Sequence, residues 1–410
     1  MLRVAAAGGL LLLSGCSLLL ADDLNQDAVD DERVDGAAES GAAPSSDGGS
    51  GDSGDLVDVD ASTTSRRPFG PLVAVETGSS ISARVDGFFH LEYTSARGWK
   101  PAQVRDLGLA GTPNLVSAFE PLFAVIEGKT VASSSDENTG YYQVVDETPV
   151  RFLFTTYAHH VLPSGADAKV WTHWAIYPTG RVVARLEVSN PGTADLALPQ
   201  GWLHSSITVD ETKPWKVVDS ADGRGATFYH QKPSGLGLTT LLQEPSPKLG
   251  ARSAAEHHWS EDQHTMPTGA VLTRVNELHL GVTPEEAFAR IADARSPGLV
   301  ALSNIVPVDL GYDIAKATYR LRATGGSPIK FELKPNLARA YPAFEIDDLA
   351  APSGWRLLLD GQTVASSTAP VTPLGVARHT PSTGKLLVVY FGTIPMNAPA
   401  EKRTFVLEPL

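Results

Sequence analysis

The sequence predicts an all-β protein in which a large antiparallel β-sandwich is followed by a smaller one, with one short helix between them. Three observations predict it. Beyond residue 66 the chain is made of short runs of alternating apolar and polar residues broken by Gly, Pro, Asn and Asp, as strands with one buried face require. Only one stretch carries the start, the apolar face and the stop of a helix. No internal repeat of fixed short period is visible, which sets propellers and solenoids aside. At 410 residues the chain exceeds the usual size of one core, so one large or two moderate domains are expected once flexible parts are removed.

The first element, residues 1–15, reads as a signal peptide. Arg3 precedes an apolar run that ends in "GGLLLLSGC", and this apolar core is too short to span a bilayer as a mature helix. The residues Leu13, Ser14, Gly15 and Cys16 resemble the lipobox of bacterial lipoproteins. That resemblance implies that the Cys16 thiol receives diacylglycerol, that cleavage leaves Cys16 as the new N-terminus, and that the acylated chain is membrane-anchored in the bacterial cell envelope, where palmitate would label it. Ser17 stands where an Asp would retain an enteric lipoprotein at the inner membrane, so by the same resemblance the outer membrane is expected. Cys16 is the only cysteine, so the fold has no internal disulfide even in an oxidising compartment.

Residues 16–65 follow as the lipidated cysteine and an acidic tether. Thirteen of the 47 Asp and Glu residues fall within 21–65 beside a single Arg, leaving 34 acids against 31 Lys and Arg from residue 66 onward. The formal charge of −14 therefore belongs mostly to the tether, and the body is nearly neutral. No basic surface or clustered Lys/Arg run exists to grip a phosphate backbone, which excludes nucleic acid as a partner. The tether has no aromatic residue and is rich in Gly, Ser and Ala, so it cannot bury enough apolar area to offset its ordering entropy and is expected to be disordered. Its "DGGSGDSGD" run carries clustered carboxylates but does not meet the ligand pattern of an EF-hand loop, so a solvated linker is expected rather than a calcium site.

Residues 66–300 form the larger sandwich, with strands expected in "PLVAVET", "FFHLEYT", "LFAVIEG", "YYQVVD", "PVRFLFTTYAHHVL", "LGLTTLLQE" and "AVLTRVNELHLG". It closes with the helical stretch "VTPEEAFARIADARSPG": Thr283 as N-cap, Pro284 at the first helical position, Ala287, Phe288, Ile291 and Ala292 on one face, and Pro297-Gly298 as the stop. Residues 301–410 then supply "KATYRLRA", "PIKFELKP", "WRLLLDG", "KLLVVYFG" and "KRTFVLEP", at the spacing of a smaller Ig-like β-sandwich.

The densest chemistry lies in "VWTHWAIYPTGRVVARLEVSNPG", residues 170–192. Period-two alternation sets Val170, Thr172, Trp174 and Ile176 on one face of the first strand and Trp171, His173, Ala175 and Tyr177 on the other. On the returning strand Arg181, Val183, Arg185 and Glu187 oppose an apolar face. Register decides whether the arginines join the Trp174 row or the Trp171-His173-Tyr177 row, and both remain open. The second arrangement makes an aromatic and cationic platform. Aromatic faces stack on the C–H side of a pyranose, and Arg donates paired hydrogen bonds to hydroxyls or to uronate carboxylates. The plain alternative packs both tryptophans between sheets and leaves the arginines solvated.

This Trp-rich strand, with "YPTGRV", a charged-apolar strand and "NPG", resembles the antiparallel β-supersandwich of galactose mutarotase-like proteins, over about residues 70–285. The segments "YPAFEIDDLAAPSGWRLLLDGQTV" and "GKLLVVYFG" are similar to β-sandwich modules appended to such proteins. The resemblance implies a carbohydrate ligand, and three functions stay open. One is an envelope lipoprotein that binds a glycan through Trp171, Trp174 and Arg185 without catalysis. Another is a polysaccharide lyase or mutarotase-like enzyme using His173, Tyr177 and Arg181, with His159 or His160 as the next candidate base. The third is a structural or protein-interaction lipoprotein. His257, His258, Glu261, Asp262 and His264 could all ligate zinc, but the setting reads as a polar loop without a helical HExxH arrangement, and neither a metal nor a cofactor is expected. GxSxG and GxxxxGKS are missing from the sequence, and the one GxGxxG spacing, Gly49-Gly51-Gly54, falls in the acidic tether and not between a strand and a helix, so serine-nucleophile and phosphate-cradle chemistry are not expected.

Overall fold

A three-residue hairpin loop sets the architecture. Gly180 N–H donates to Tyr177 O at 3.0 Å and Tyr177 N–H to Arg181 O at 2.9 Å, while Gly180 has φ +74°, which makes a turn closed by a left-handed bulge residue. A Cβ at Gly180 would sit 2.6 Å from Leu280 O, so both its conformation and its surroundings demand glycine. The loop joins strands Asp167–Ile176 and Arg181–Ser189, paired antiparallel with Val182 opposite Ile176 and Arg185 opposite His173.

In this computed structural model residues 69–410 are described, except 98, 109–110, 112–113, 127–128, 132–140, 162–166, 200–202, 210–214, 220–224, 231–237, 243–247, 253–255, 261–262, 282–285, 287–288, 291–293, 295 and 351–353; side chains are further excepted at 97, 100, 116–131, 160–161 and 203–260. The signal peptide, the Cys16 lipobox and the acidic tether, with its calcium-like run, lie outside the described residues.

The hairpin occupies the middle of an eight-stranded sheet ordered Trp215–Asp219, Gly225–His230, Leu238–Leu242, Val271–His279, Arg181–Ser189, Asp167–Ile176, Phe152–Val161 and Tyr141–Glu147. One face of this sheet packs on a four-stranded sheet of Val73–Glu76, Ser80–Val85, Phe89–Thr94 and Lys100–Asp106. The core between them holds Ile81, Leu91, Phe152, Val182 and Leu186, with Tyr93 edge-on to both Phe154 and Trp174 at 5.0 Å. Each large apolar side chain fully buried here stabilises the fold by about 1.5–3 kcal/mol.

A smaller sandwich follows, of five strands (Leu299–Ser303, Ile329–Leu333, Thr404–Pro409, Trp355–Leu359, Gln362–Ser366) facing six (Ile305–Asp313, Thr318–Ala323, Ala343–Asp347, Lys385–Tyr390, Gly375–Thr380, Val371–Thr372). Its centre is an aromatic stack, Phe331 on Phe405 at 5.3 Å and Phe344 on Phe405 at 4.7 Å. The fold is thus all-β and built from antiparallel sheets, as the alternation predicts; Thr318–Ala323 and Ala343–Asp347 run parallel to each other. Of the expected helix, Glu286, Ala289, Arg290 and Ala294 are described, and all four are helical.

The second core does not stop at the smaller sandwich. It takes in Leu153, Ala175, Tyr177, Val183 and Val275 from the other face of the eight-stranded sheet. Charged groups are closed into the same junction. Arg181 makes a two-point pair with Glu277, Nε to Oε2 at 2.8 Å and Nη2 to Oε1 at 3.0 Å, and also donates to Tyr312 Oη and Arg290 O. Arg151 bonds Glu345 of the smaller sandwich at 2.9 Å and Asp146 of the sheet at 2.9 Å. Pairing is obligatory here, because a lone buried charge would cost several kcal/mol.

Glu345 links this junction to pH. Burial alone would raise its pKa, but Arg151 opposite it, together with Lys385 and Lys316, outweighs burial and holds the carboxyl at about 2. A carboxylate depressed in the fold contributes stability above its unfolded value, and that contribution disappears as pH falls through the folded value. The denaturant midpoint is therefore expected to fall between about pH 4.5 and pH 2, and Glu345→Gln to flatten that part of the profile; chemical unfolding followed at several pH values checks both.

Candidate functional site

The hairpin register selects the second of the two arrangements. Cross-strand partners share a face, so the outer face of the eight-stranded sheet carries successive rows: Tyr141, Tyr157, Trp171, Glu187 and Thr273 in one, Gln143, Thr155, His173, Arg185 and Val275 in the next. A third row brings His159 beside Lys169 and Ser189. The smaller sandwich covers this face from the Leu153-Ala175-Val183 row onward. Trp171, Tyr157, His173 and Arg185 stay half-buried and Tyr141 is 55% exposed.

These rings form a continuous ladder. Tyr141 and Tyr157 lie 5.0 Å apart, centroid to centroid, and Tyr157 and Trp171 5.1 Å, at tilts of 43° and 46°. His159 extends the line, 6.5 Å from Tyr157, and its Nε2 meets Asp167 Oδ1 at 2.5 Å. Beside the ladder, His173 Nδ1 is 2.9 Å from Thr155 Oγ1, and Arg185 Nη2 donates to Glu187 Oε2 at 3.2 Å. Burial, reinforced by the Arg185 guanidinium, lowers the His173 pKa to about 4, so its imidazole is neutral near pH 7. Burial also raises the Tyr157 phenol, with Tyr141 and Asp167 adding to the shift. The arrangement offers a row of mutually tilted rings bordered by hydrogen-bonding groups of both kinds.

The expected site residues divide between two places. Trp171, His173 and Arg185 belong to the platform. Trp174 is corrected from ligand stacking to core: it is 3% exposed and stacked on Phe154 at 5.9 Å and 14°, because even-numbered positions of its strand point inward. The proposed catalytic trio is likewise not assembled. Tyr177 is 2% exposed, its hydroxyl held by Thr318 Oγ1 at 2.6 Å and by Lys316 O, and Arg181, also 2% exposed, is clamped by Glu277 under the smaller sandwich. His173 faces neither; it bonds Thr155. Tyr141, Tyr157, Asp167 and Glu187 were missed as site residues, although "YYQVVD" and "FTTYAHH" both place a tyrosine on the parity that register brings beside Trp171.

The stretch around His257 and His258, expected as a polar loop, contains the strand Glu256–Ser260, paired with Leu203–Val209 and Lys248–Arg252. Cross-strand pairing on both sides outweighs its polar composition. The side chains of His257 and His258 and the whole of Glu261 and Asp262 are outside the described set, as is the His160 side chain; His264 is exposed. Among the described residues no group of three or more His, Cys, Asp or Glu is placed to hold a metal ion.

No protein-family model matches the chain, and no curated protein is significantly similar to it. Among solved structures the chain is similar to a galactose mutarotase related enzyme from Lactobacillus acidophilus, at 7% identity and TM-score 0.29, over 52% of this chain and 98% of that one. A heparan sulfate lyase from Pedobacter heparinus aligns at 9% identity and TM-score 0.34, over 61% and 40% of the two chains. A polysaccharide lyase aligns at 8% identity and TM-score 0.32, over 83% and 46%. The functional reading below rests on the geometry of the platform itself.

The electrostatics of His173 can be read directly. Its imidazole is expected to titrate with a midpoint near 4, and Arg185→Ala to move that midpoint upward by removing the neighbouring positive charge; an NMR pH titration of the ring protons measures both.

Proposed function

We propose that the protein is a cell-envelope lipoprotein whose outer sheet face binds carbohydrate without catalysis. One observation carries the binding role: the Tyr141-Tyr157-Trp171 ladder, half-open on the part of the sheet face beyond the smaller sandwich, with Arg185 beside it. Sugars present alternating apolar C–H faces and hydroxyl edges, and a strip of rings edged by donors and acceptors complements both. Catalysis is left out of the proposal because the groups suggested for it are separated, Tyr177 and Arg181 being locked into the sandwich junction.

A glycan array probed with the full chain in detergent micelles tests the reading. Trp171→Ala is expected to weaken whichever glycan is bound by at least about tenfold, equivalent to about 1.4 kcal/mol, while leaving the thermal midpoint nearly unchanged, since this ring is not in either core. Binding that survives the substitution intact would exclude the platform as the site.

The anchor is supported by Leu13-Ser14-Gly15-Cys16 and by the acidic segment behind it. Cys16→Ser is expected to release the protein from the membrane fraction and to abolish metabolic labelling with palmitate, with an outer-membrane location read from density fractionation of the wild type.

A further inference from the structure

Resting on that carbohydrate reading, the structure says more about the chemical class of sugar. Among the described residues beside the ring ladder, Arg185 and His159 each meet a carboxylate, and Lys169 is a further cation. Arg185 holds Glu187 at 3.2 Å, with the two side chains 33% and 26% exposed, and His159 holds Asp167. Lys169 and Arg185 are balanced in charge by Asp167 and Glu187. Towards the smaller sandwich the remaining charges close on one another, Arg151 with Asp146 and Glu345, and Arg181 with Glu277. On the Arg185 side the platform therefore presents an ion pair at its edge, and Lys169 stands in the row on the other side of Trp171.

We propose that Glu187 is a specificity-determining residue that presets Arg185 for adjacent hydroxyls of a neutral sugar and rejects uronates and sulfated sugars. Glu187 is the direct cross-strand partner of Trp171, and Arg185 lies one row along, opposite His173. A pyranose stacked on Trp171 would thus bring its edge to a carboxylate and a guanidinium that are already in contact. A hydroxyl both donates and accepts, so two neighbouring hydroxyls can engage the pair together, one donating to a Glu187 oxygen and the next accepting from an Arg185 N–H. A carboxylate or sulfate can only accept. An anion that takes the other Arg185 N–H groups would lie beside the Glu187 carboxylate, two like charges facing each other where solvent is partly excluded. His173, neutral near pH 7, adds no positive charge to offset this.

The test uses a polyuronate and the same polymer after chemical reduction of its carboxyl groups, titrated calorimetrically against the full chain in detergent micelles. The wild type is expected to bind the reduced polymer, with little dependence on salt, and to bind the polyuronate at least about tenfold more weakly. Glu187→Gln keeps the side-chain shape and removes the charge, and is expected to narrow that ratio by roughly tenfold, mostly through a gain toward the polyuronate. A wild-type preference for the polyuronate, or a ratio unmoved by Glu187→Gln, overturns the inference. Trp171→Ala separates the two levels: if binding depends on Trp171 yet favours the polyuronate, only the role of Glu187 fails. If neither polymer binds, or binding ignores Trp171, the platform reading fails and this inference with it.

Discussion

The register between Asp167–Ile176 and Arg181–Ser189 is the constraint from which the rest follows. With Val182 opposite Ile176, every odd position from Trp171 to Glu187 faces outward and every even position faces the first core. A slip of one residue would turn the returning strand over, sending Arg185 and Glu187 into the aromatic core and Val182, Ala184 and Leu186 out of it. The loop forbids that slip. Gly180 fits against Leu280 and Phe88 with no room for a side chain, and its carbonyl accepts from Leu280 N–H at 2.8 Å, so the turn is held by the neighbouring strand's end as well as by its own bonds.

Given that register, the outer face is divided by what covers it. The smaller sandwich seals Ala175 and Val183 together with two sets of ion pairs, and in the next row it takes in Val275 but leaves His173 and Arg185 half-buried. Arg181 and Arg185, four residues apart on one strand, consequently have opposite fates. One is a fully desolvated anchor whose partner Glu277 is held below the usual carboxylate range, burial being outweighed by Arg181 and His279. The other remains in reach of solvent. Buried pairs of the first kind add little net stability over apolar packing, but they tolerate the loss of neither partner; held this way, Arg181 reaches the smaller sandwich through Tyr312 Oη.

Much of this was legible in the sequence, and the limits have physical causes. The alternation in "RVVARLEVS" identified its own apolar face, and the β-rich class followed from strands of that kind. In "VWTHWAIY" both faces are apolar or aromatic, so period alone could not say which tryptophan was core. The burial of Tyr177 and Arg181 depends on a surface supplied by residues 312–346, more than a hundred positions later, and no local pattern carries that information. The strand through His257 and His258 escaped for a related reason: its polar residues gain their extended form from partners on either side rather than from propensity. The tyrosines of the ladder were individually ordinary, and only the alignment of three strands made them a surface.

Arg151 reaches across two parts of the chain at once, touching Asp146 in the larger sandwich and Glu345 in the smaller. The passage from the larger to the smaller sandwich near residue 300 is consequently not a border in the packing. Severing the polypeptide there would strip a lid from Leu153, Ala175 and Val275 and take Glu345 from Arg151, which would keep only Asp146, so the larger part would be left with an exposed apolar face. A replacement tail would therefore have to bring an apolar face to Ala175 and Val183, a carboxylate to Arg151 and a hydrogen-bond acceptor to Arg181.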